Sequence, residues 1–495
     1  MKKFRLAQVG AFDFENYGDL LFPFVLEEQL KHFLEIEEIV LFAPLGGPMP
    51  FEEGRTVYPV EKLEELHQEK PFDAIIVGGG DLVHFVKIQV IMPNISKEKV
   101  VYCPYHLWSS CSIFAAKYNL PLIWNAPGVP FPFSKQQEPF IKSLTSAVDY
   151  VSVRDSVSKD NLQPACEQTV QVVPDTVCSI SSLIPREQLS SYYHRVCQRF
   201  GFSPEEKYMV FQASVMITEE EAKICAETLM EIKKNFGLQI RLLPIGYALD
   251  DIKGLSDIEK LYPEEFSLMR EKLTPMETLS VIVHSQGYMG SSLHGCITAN
   301  SYGVGAVVFN NVHLNKIPGY LELTGQKQNL VDHAEDLYDA FKKMMGQNIS
   351  FQKDLCSKIE THFQKISHLI QQGSHPKNIS PVSINTMDIL VDSWQENSRI
   401  SQEMQTAQTI FSQQLESERA IHRELDQKIA CLQQSQQQLS AELQICKQQR
   451  NYFEQALQEM QGSIFWRITK PVRTLLDHLK HTKKGLPLVW QSLLL

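Results

Sequence analysis

The chain has 495 residues, 43% of them hydrophobic and 21% charged, a composition that supports two or three domains with buried cores. Its formal net charge of −11 excludes a global attraction to nucleic acid, so any anion site must be local. No apolar run approaches the roughly 18 residues of a membrane span, and the apolar stretch after the basic start is too short for a secretory leader. The 10 Cys form no CxxC pair, so we expect a soluble cytoplasmic protein with free thiols and no bound metal.

Residues 1–185 alternate short apolar segments with longer amphipathic ones, which is the pattern of a parallel sheet covered by helices on both faces. The predicted strands are Phe4–Val9, Ile39–Phe42, Ala74–Val77, Leu122–Trp124, Tyr150–Val153 and Val170–Val173. The predicted helices between them include Pro23–Phe33, Lys62–Gln68 and Gln137–Ala147. We interpret this segment as an N-terminal α/β domain.

The same alternation restarts after Pro185 and indicates a second α/β domain over residues 186–390. Its predicted strands are Tyr208–Gln212, Gln239–Leu243, Gly287–Met289 and Ala306–Phe309. Its predicted helices include Glu219–Asn235 and Pro275–Ser285. Two doubly wound domains leave a cleft at the carboxyl ends of their strands, and ligands bind there in such sheets.

Residues 395–462 change in composition toward Gln, Glu, Ser and Lys, with no Pro or Gly before Gly462. Steps of four and three residues select Leu425, Ile429, Leu432, Gln436, Leu439, Leu443, Cys446, Arg450, Phe453, Leu457 and Met460. Nine of these eleven residues are apolar, which predicts a coiled coil that joins copies of the chain into a dimer or a trimer. A weaker continuation includes Met404, Phe411 and Leu415, and the alternative is a Gln-rich linker.

The tail over 463–495 is basic, and Ile, Phe, Trp and Leu side chains lie between its charges. Its six basic residues and one acid, a net charge of +5, are Arg467, Lys470, Arg473, Lys480, Lys483, Lys484 and Asp477. A basic amphipathic segment with Trp favours peripheral contact with an anionic membrane surface, here the inner face of the cytoplasmic membrane. The alternative is packing against protein.

Two glycine-containing loops follow predicted strands and are candidates for ligand binding. Asn16-Tyr17-Gly18-Asp19 precedes a helix, whose N-terminal N–H groups attract anions, although Asp19 has the alternative role of a helix cap. The run Gly78-Gly79-Gly80-Asp81 ends the Ala74–Val77 strand, where the backbone must pass close to a ligand or to another loop. Asn125 ends the Leu122–Trp124 strand in the same way.

Two charged residues end later strands of the first domain. Arg154 can bind a carboxylate or phosphate through its planar guanidinium, or form a structural pair with Asp155. Asp175 places a carboxylate at the edge of the cleft, and we also assign His106 to the cleft. Asp175 and His106 are therefore candidates for an acceptor site or for the lining of the cleft.

The run Gly290-Ser291-Ser292-Leu293-His294-Gly295 joins a short strand to a helix. N–H groups at a helix start can hold an anion while an imidazole, which titrates near neutral pH, passes a proton. A single His in a helix is more often structural, but this position makes His294 the best catalytic candidate in the chain.

In this order and spacing, the motifs over residues 4–325 resemble the polysaccharide pyruvyl transferase family. The resemblance rests on Asn16-Tyr17-Gly18-Asp19, Gly78-Gly79-Gly80, Ser152 to Ser158, Val173-Pro174-Asp175 and Leu293-His294-Gly295. It implies two Rossmann-like domains arranged as in GT-B glycosyltransferases. It also implies transfer of the pyruvyl unit of phosphoenolpyruvate, a co-substrate, onto saccharide hydroxyls as a ketal, in surface polysaccharide synthesis, without a further cofactor.

The resemblance gives the residues their expected roles. His294 and Arg154 are catalytic, and the donor-binding residues are Asn16, Gly18, Asp19, Gly79, Gly80, Asp81, Asn125, Ser291, Ser292, Leu293 and Gly295. The acceptor is expected to be a saccharide, either free or lipid-linked.

One departure bears on the donor, because the family often has an Arg where this chain has Ser292. A hydroxyl carries no charge, so there are two alternatives. One of His284, His313 and Lys316 supplies the missing cation, or the donor is not phosphoenolpyruvate. Two alternative functions stay open, the first because of Ser292 and the second because of the predicted coiled coil. One is a glycosyltransferase that uses a nucleotide sugar in the same cleft, and the other is a non-catalytic scaffold for polysaccharide enzymes.

Overall fold

The computed structural model describes residues 2–85, 105–135, 137–347, 353–373, 376–377, 428–429, 432–463 and 467–481. It divides into two compact units, Met1–Ile389 and Leu390–Leu495. The predicted coiled coil upstream of 428 and the tail beyond 481 lie outside the described residues.

The first half of unit 1 contains a six-stranded sheet in the order β3-β4-β2-β1-β5-β6, parallel except for β3. Its strands are β1 Lys3–Val9, β2 Glu35–Ala43, β3 Gly47–Pro48, β4 Thr56–Pro59, β5 Ala74–Val77 and β6 Leu122–Trp124. Two short parallel strands, β7 Ser152–Val153 and β8 Gln171–Val172, lie beyond β6. Their chain is joined to β6 because the Trp124 amide donates to the Tyr150 carbonyl at 2.9 Å.

Helices connect these strands, as parallel pairing requires. They are α1 Tyr17–Lys31, α2 Leu63–Glu69, α3 Tyr105–Tyr118, α4 Glu138–Thr145, α5 Ser156–Leu162 and α6 Ile180–Leu183. Every residue of β5 is fully buried, which explains its uninterrupted apolar sequence.

The second half of unit 1 contains an all-parallel six-stranded sheet in the order β11-β10-β9-β12-β13-β14. Its strands are β9 Tyr208–Gln212, β10 Gln239–Leu242, β11 Phe266–Leu268, β12 Tyr288–Gly290, β13 Ala306–Phe309 and β14 Leu330–Val331. Its helices are α7 Arg186–Phe200, α8 Glu219–Phe236, α9 Asp251–Glu259, α10 Pro275–Val283, α11 Leu293–Ser301, α12 Lys316–Leu323 and α13 Leu337–Met345.

The last helix of unit 1, α14 Lys353–Gln372, returns to the first half and packs against α1 and the turn Thr176–Ser179. Ile359 and Phe363 are fully buried there. Burial of this apolar face, which repeats every three to four residues, stabilises the return of the chain.

The structure confirms most predicted elements of unit 1, but α1 begins six residues earlier than the predicted Pro23. Proline is favoured in the first turn of a helix, where its missing N–H leaves no hydrogen bond unmade. The helix instead continues through Pro23, and Asn16 is its N-cap, so Asp19 lies inside the first turn. The alternative interpretation of Asp19 as a helix cap is therefore wrong.

Unit 2 contains a helix over 432–462 and a second helix, Lys470–His481. The apolar side chains that are described on both helices are exposed in the single chain. Across the described residues, no helix is both long and apolar enough to cross a membrane.

Candidate active site

Six charged or titratable side chains meet where strands of both halves of unit 1 end, and we call them the charged cluster. They are Asp19, Asp81, Arg154, Asp175, His294 and Lys316. Asp19 comes from α1, and the next three residues follow β5, β7 and β8. His294 and Lys316 belong to the first turns of α11 and α12. The cluster therefore forms only when the two halves pack together.

Asp81 is shared by two cations. Its Oδ1 accepts a short hydrogen bond from Arg154, and its Oδ2 lies 3.2 Å from Lys316 Nζ. Although burial by itself would raise the pKa of Asp81, the charges of Arg154 and Lys316 hold it well below its usual range. Arg154 and Lys316 thus both point at the Asp81 carboxylate. Two converging cations of this kind suit the binding of an anionic ligand.

Arg154 is almost completely buried, with 3% of its side chain exposed. Its Nε lies 3.4 Å from Asp155 Oδ2, while Asp155 also caps α5 by accepting from the Ser158 amide at 2.6 Å. The alternative interpretation, a structural pair of Arg154 with Asp155, is therefore confirmed, and the same Arg also contacts Asp81 in the cluster.

His294 faces Asp175, with 3.4 Å between His294 Nε2 and Asp175 Oδ2. Burial by itself raises the pKa of Asp175, but the His294 imidazole and the Arg154 charge lower it overall. Phe22 packs edge-on against the imidazole, with ring centroids 5.3 Å apart. The imidazole is thus fixed between an aromatic ring and a carboxylate.

Gly18 is required by the position of this imidazole, since a methyl group at Gly18 would overlap the His294 ring. The glycine run has a similar packing role. A side chain at Gly79 would strike the Phe22 ring at 2.5 Å, and one at Gly80 would lie 2.6 Å from Asp19 Oδ1. Both residues have positive φ, 102° and 69°, which favours glycine. The close approach predicted for this run is therefore an approach to α1.

Asp19 is held by the Asn16 side-chain amide, which donates to its Oδ2 at 2.8 Å. Burial raises the pKa of Asp19 to about 6, against the opposing charges of His294 and Lys316. Asp19 thus holds its proton more tightly than an exposed carboxyl does.

Gln212, which sequence reasoning missed, occupies part of the predicted anion site at the start of α11. The amides of Ser291 and Ser292 both donate to Gln212 Oε1 at 2.9 Å. Ser292 is the N-cap of α11, and its hydroxyl accepts from the Gly295 amide at 3.3 Å. The amides of Leu293 and His294 follow, and first-turn N–H groups have no acceptor within the helix.

Asp251 fixes Gln212 in turn by accepting from its Nε2 at 3.0 Å. The same carboxylate accepts from the amides of Ile245 and Gly246, and burial raises the pKa of Asp251 to about 6. Neither Gln212 nor Asp251 lies in a local sequence motif, so only the three-dimensional arrangement identifies them.

The other predicted residues are placed as follows. Asn125 follows β6, and its Oδ1 accepts from His362 Nε2 at 2.8 Å. His106 lies on α3, where its ring contacts Tyr105 at 4.4 Å between centroids, and burial lowers its pKa. Neither Asn125 nor His106 is a member of the charged cluster.

Of the three cations considered for the role left open at Ser292, the structure brings only Lys316 into the cluster. His284 stacks on Tyr193, with ring centroids 4.3 Å apart. His313 Nδ1 lies 3.7 Å from Asp332 on an exposed surface. Within the described residues, no group of three or more His, Cys, Asp or Glu side chains is arranged to hold a metal ion.

Comparison with protein families agrees with the arrangement of these motifs. The model of the family described as polysaccharide pyruvyl transferase matches residues 16–313. The match includes every member of the charged cluster except Lys316, which lies three residues beyond its end. The chain belongs to the polysaccharide pyruvyl transferase family, which is a family of transferases. A comparison with curated protein sequences found no match.

Solved structures resemble the chain in fold. The UDP-GlcNAc 2-epimerase of Methanocaldococcus jannaschii is 12% identical, with a TM-score of 0.50 over 74% of this chain and 100% of the epimerase. The epimerase of Neisseria meningitidis is 12% identical, with a TM-score of 0.44 over 78% and 100%. A variant of the wall teichoic acid polymerase TagF is 12% identical, with a TM-score of 0.43 over 75% and 88%. The two six-stranded sheets and the likeness to the Methanocaldococcus jannaschii epimerase show the predicted GT-B-like pair of Rossmann-like domains.

The raised pKa of Asp19 predicts a pH-dependent effect of Asp19→Asn on stability. The pKa is 3.8 without burial and about 6 in the folded chain. The folded state therefore binds more protons between these values, and the stability present below the lower pKa is lost as the pH rises through the higher one. Asn carries no charge, so the variant avoids this loss.

We expect the thermal midpoint of Asp19→Asn to exceed that of the parent chain at about pH 8 and to approach it at about pH 4. The control Asp160→Asn, at an exposed position of α5, should change neither midpoint. A lower midpoint for Asp19→Asn at the higher pH would show that the Asp19 carboxylate stabilises the fold.

Proposed function

We propose that the protein transfers the pyruvyl group of phosphoenolpyruvate onto two hydroxyls of a saccharide, as a step in surface polysaccharide synthesis. The observation that carries the proposal is the convergence of Arg154 and Lys316 on one carboxylate beside the His294–Asp175 pair. Membership of the transferase family supports the same reaction class.

The reaction sets clear chemical demands. The methylene carbon of the donor gains a proton, two saccharide oxygens bond to the central carbon, and the bond from that carbon to the phosphate oxygen breaks. One of the two hydroxyl protons is balanced by the new methyl group, and the other leaves with phosphate. The enzyme must therefore neutralise the donor's carboxylate and phosphate, protonate carbon and accept a hydroxyl proton.

In this proposal Lys316 and Arg154 neutralise the donor's carboxylate and phosphate. In the free enzyme their charges are held by Asp81, and a donor anion would take a place between the same groups. Lys316 supplies the charge that the family's Arg would bring to the position of Ser292, which here caps α11 instead. The first-turn amides of Leu293 and His294 would add N–H dipoles to the donor site.

In this proposal His294 is the group that transfers protons to and from the substrates. Asp175 faces Nε2 and stabilises the imidazolium whenever it forms, while Phe22 and Gly18 fix the plane of the ring. Asp19, the neighbouring carboxyl, lowers the negative charge next to the donor when it is protonated.

The test is turnover of phosphoenolpyruvate with a broad set of saccharide acceptors, measured as phosphate release and as pyruvylated product by mass spectrometry. We expect His294→Asn to lower kcat by about 10²- to 10⁴-fold, the usual worth of general acid–base catalysis. Lys316→Met should raise KM for the donor by about 10- to 100-fold, the worth of a charge-assisted hydrogen bond.

The matched control is Lys327→Met, which removes an exposed lysine of the same domain whose partner is Glu322. It should leave both constants unchanged. Full activity in His294→Asn removes that residue from catalysis, and absence of phosphate release with every acceptor counts against pyruvyl transfer.

Thermal shift assays distinguish the two alternative functions. Stabilisation by a nucleotide sugar without stabilisation by phosphoenolpyruvate would indicate a glycosyltransferase. Binding of saccharide without turnover would indicate a scaffold. Retained turnover after deletion of 395–495 would show that this region organises the enzyme without contributing to the reaction.

The tail contributes a second part of the proposal, peripheral contact with an anionic membrane. Ile468, Val472, Leu475 and Leu476 are exposed and recur at the spacing of one helix face. The basic residues of the tail give it a local net charge of +5, which complements anionic headgroups. This contact would bring the enzyme to lipid-linked saccharides at the inner face of the cytoplasmic membrane.

We expect the full chain to sediment with vesicles that contain anionic lipid and to dissociate as salt is raised, because exposed charges are screened. Lys470→Glu combined with Arg473→Glu should abolish sedimentation, while Lys342→Glu combined with Lys343→Glu, in unit 1, should not. Equal binding to vesicles of neutral lipid, or no binding to either kind, would overturn the membrane assignment.

A further inference from the structure

The helix over 432–462 presents an apolar stripe that the single chain leaves uncovered. With a and d denoting the core positions of the heptad, Leu443 and Leu457 lie at a, and Leu432, Leu439, Phe453 and Met460 lie at d. Each of these side chains is at least 47% exposed. A regular stripe of this length favours burial against another helix with the same repeat.

We propose that this helix pairs with the same helix of a second copy as a parallel, in-register, two-stranded coiled coil. The inference does not depend on the proposed enzymatic function. The partner is a second copy of this chain, because the charges and the polar core residues of one helix complement those of an identical helix.

Charge complementarity favours the parallel direction. Glu442 and Lys447 occupy the g and e positions that flank the core, and both are exposed. In a parallel pair, residue g of one helix meets residue e five positions later in its partner, so Glu442 meets Lys447 twice by symmetry. An antiparallel pair would instead oppose g to g and e to e, which loses both attractions.

Two polar residues at a positions favour two strands. Arg450 has an aliphatic stem and a charged end, and its Nε lies 3.5 Å from Glu454 Oε1 at the neighbouring e position. In a dimer the a position lies near solvent, so this guanidinium can reach the edge of the core while its stem packs inside. Gln436, two heptads earlier, selects register in the manner of a polar a residue.

Cys446 supplies a natural reporter, because it occupies a d position and is exposed in the single chain. In the parallel, in-register dimer each Cys446 faces its symmetry mate across the core. However, Cys446 lies midway between Leu432 and Met460, so two antiparallel helices would also bring their Cys446 residues near one another. A cysteine near one end of the stripe is therefore needed to determine direction.

The experiment uses the full chain with Cys431→Ser and Cys446→Ser, and adds Met460→Cys at a d position. Under mild oxidation we expect a shift in non-reducing electrophoresis from one chain to two. In an antiparallel pair the two introduced cysteines would be about 40 Å apart at 1.5 Å per residue, and no cross-link would form. The matched control Gln448→Cys lies at f, on the face opposite the core, and should not cross-link.

The mass of the reduced chain in solution gives a second test, which does not depend on the rate of oxidation. Light scattering of the reduced parent chain should give about twice the 56.6 kDa mass of one chain. Lys447→Glu should weaken the dimer several-fold, and adding Glu442→Lys should restore it. A mass of one or three chains, cross-linking at 448 but not at 460, or no restoration by the charge exchange would overturn the proposal.

Discussion

The buried guanidinium of Arg154 is the constraint on which the rest of the site depends. A charge with 3% of its side chain exposed is tolerated only when it is paired, and here Asp81 and Asp155 supply the partners. Asp81 is placed by the glycine run after β5, and it recruits Lys316 from the other half of the unit. Arg154, Asp81 and Lys316 therefore form a chain of charge contacts that joins the two halves at the point where the chemistry is proposed.

Much of the fold was predictable because burial leaves a simple pattern in sequence. The strands β5, β6, β9 and β13 were predicted with their observed bounds, since fully buried parallel strands are short uninterrupted apolar runs. The start of α1 was missed because Pro23 resembles a helix-start signal. The short edge strands β3, β11 and β14 were also missed, because two or three residues carry too little periodicity to be recognised.

The site was predictable residue by residue but not in its connections. Motif order identified His294, Arg154 and Asp175, and the structure brings them together with Asp19 and Asp81. Gln212 lacks a motif, and its role exists only because β9 lies beside β12. Lys316 was one of three candidate cations and the one farthest from Ser292 in sequence, so only tertiary packing identifies it. Sequence therefore identifies chemistry carried by motifs, whereas partners recruited from a neighbouring element require the fold.

The proposed mechanism depends on Arg154, Lys316 and His294 forming one donor site. A crystal structure of the full chain soaked with phosphoenolpyruvate tests it most directly. We expect a carboxylate or phosphate oxygen of the donor within hydrogen-bond distance of Lys316 Nζ and of the Arg154 guanidinium, and we expect His294 to face the methylene carbon. A donor bound elsewhere, or a cleft that takes a nucleotide sugar and leaves phosphoenolpyruvate unbound, would contradict it.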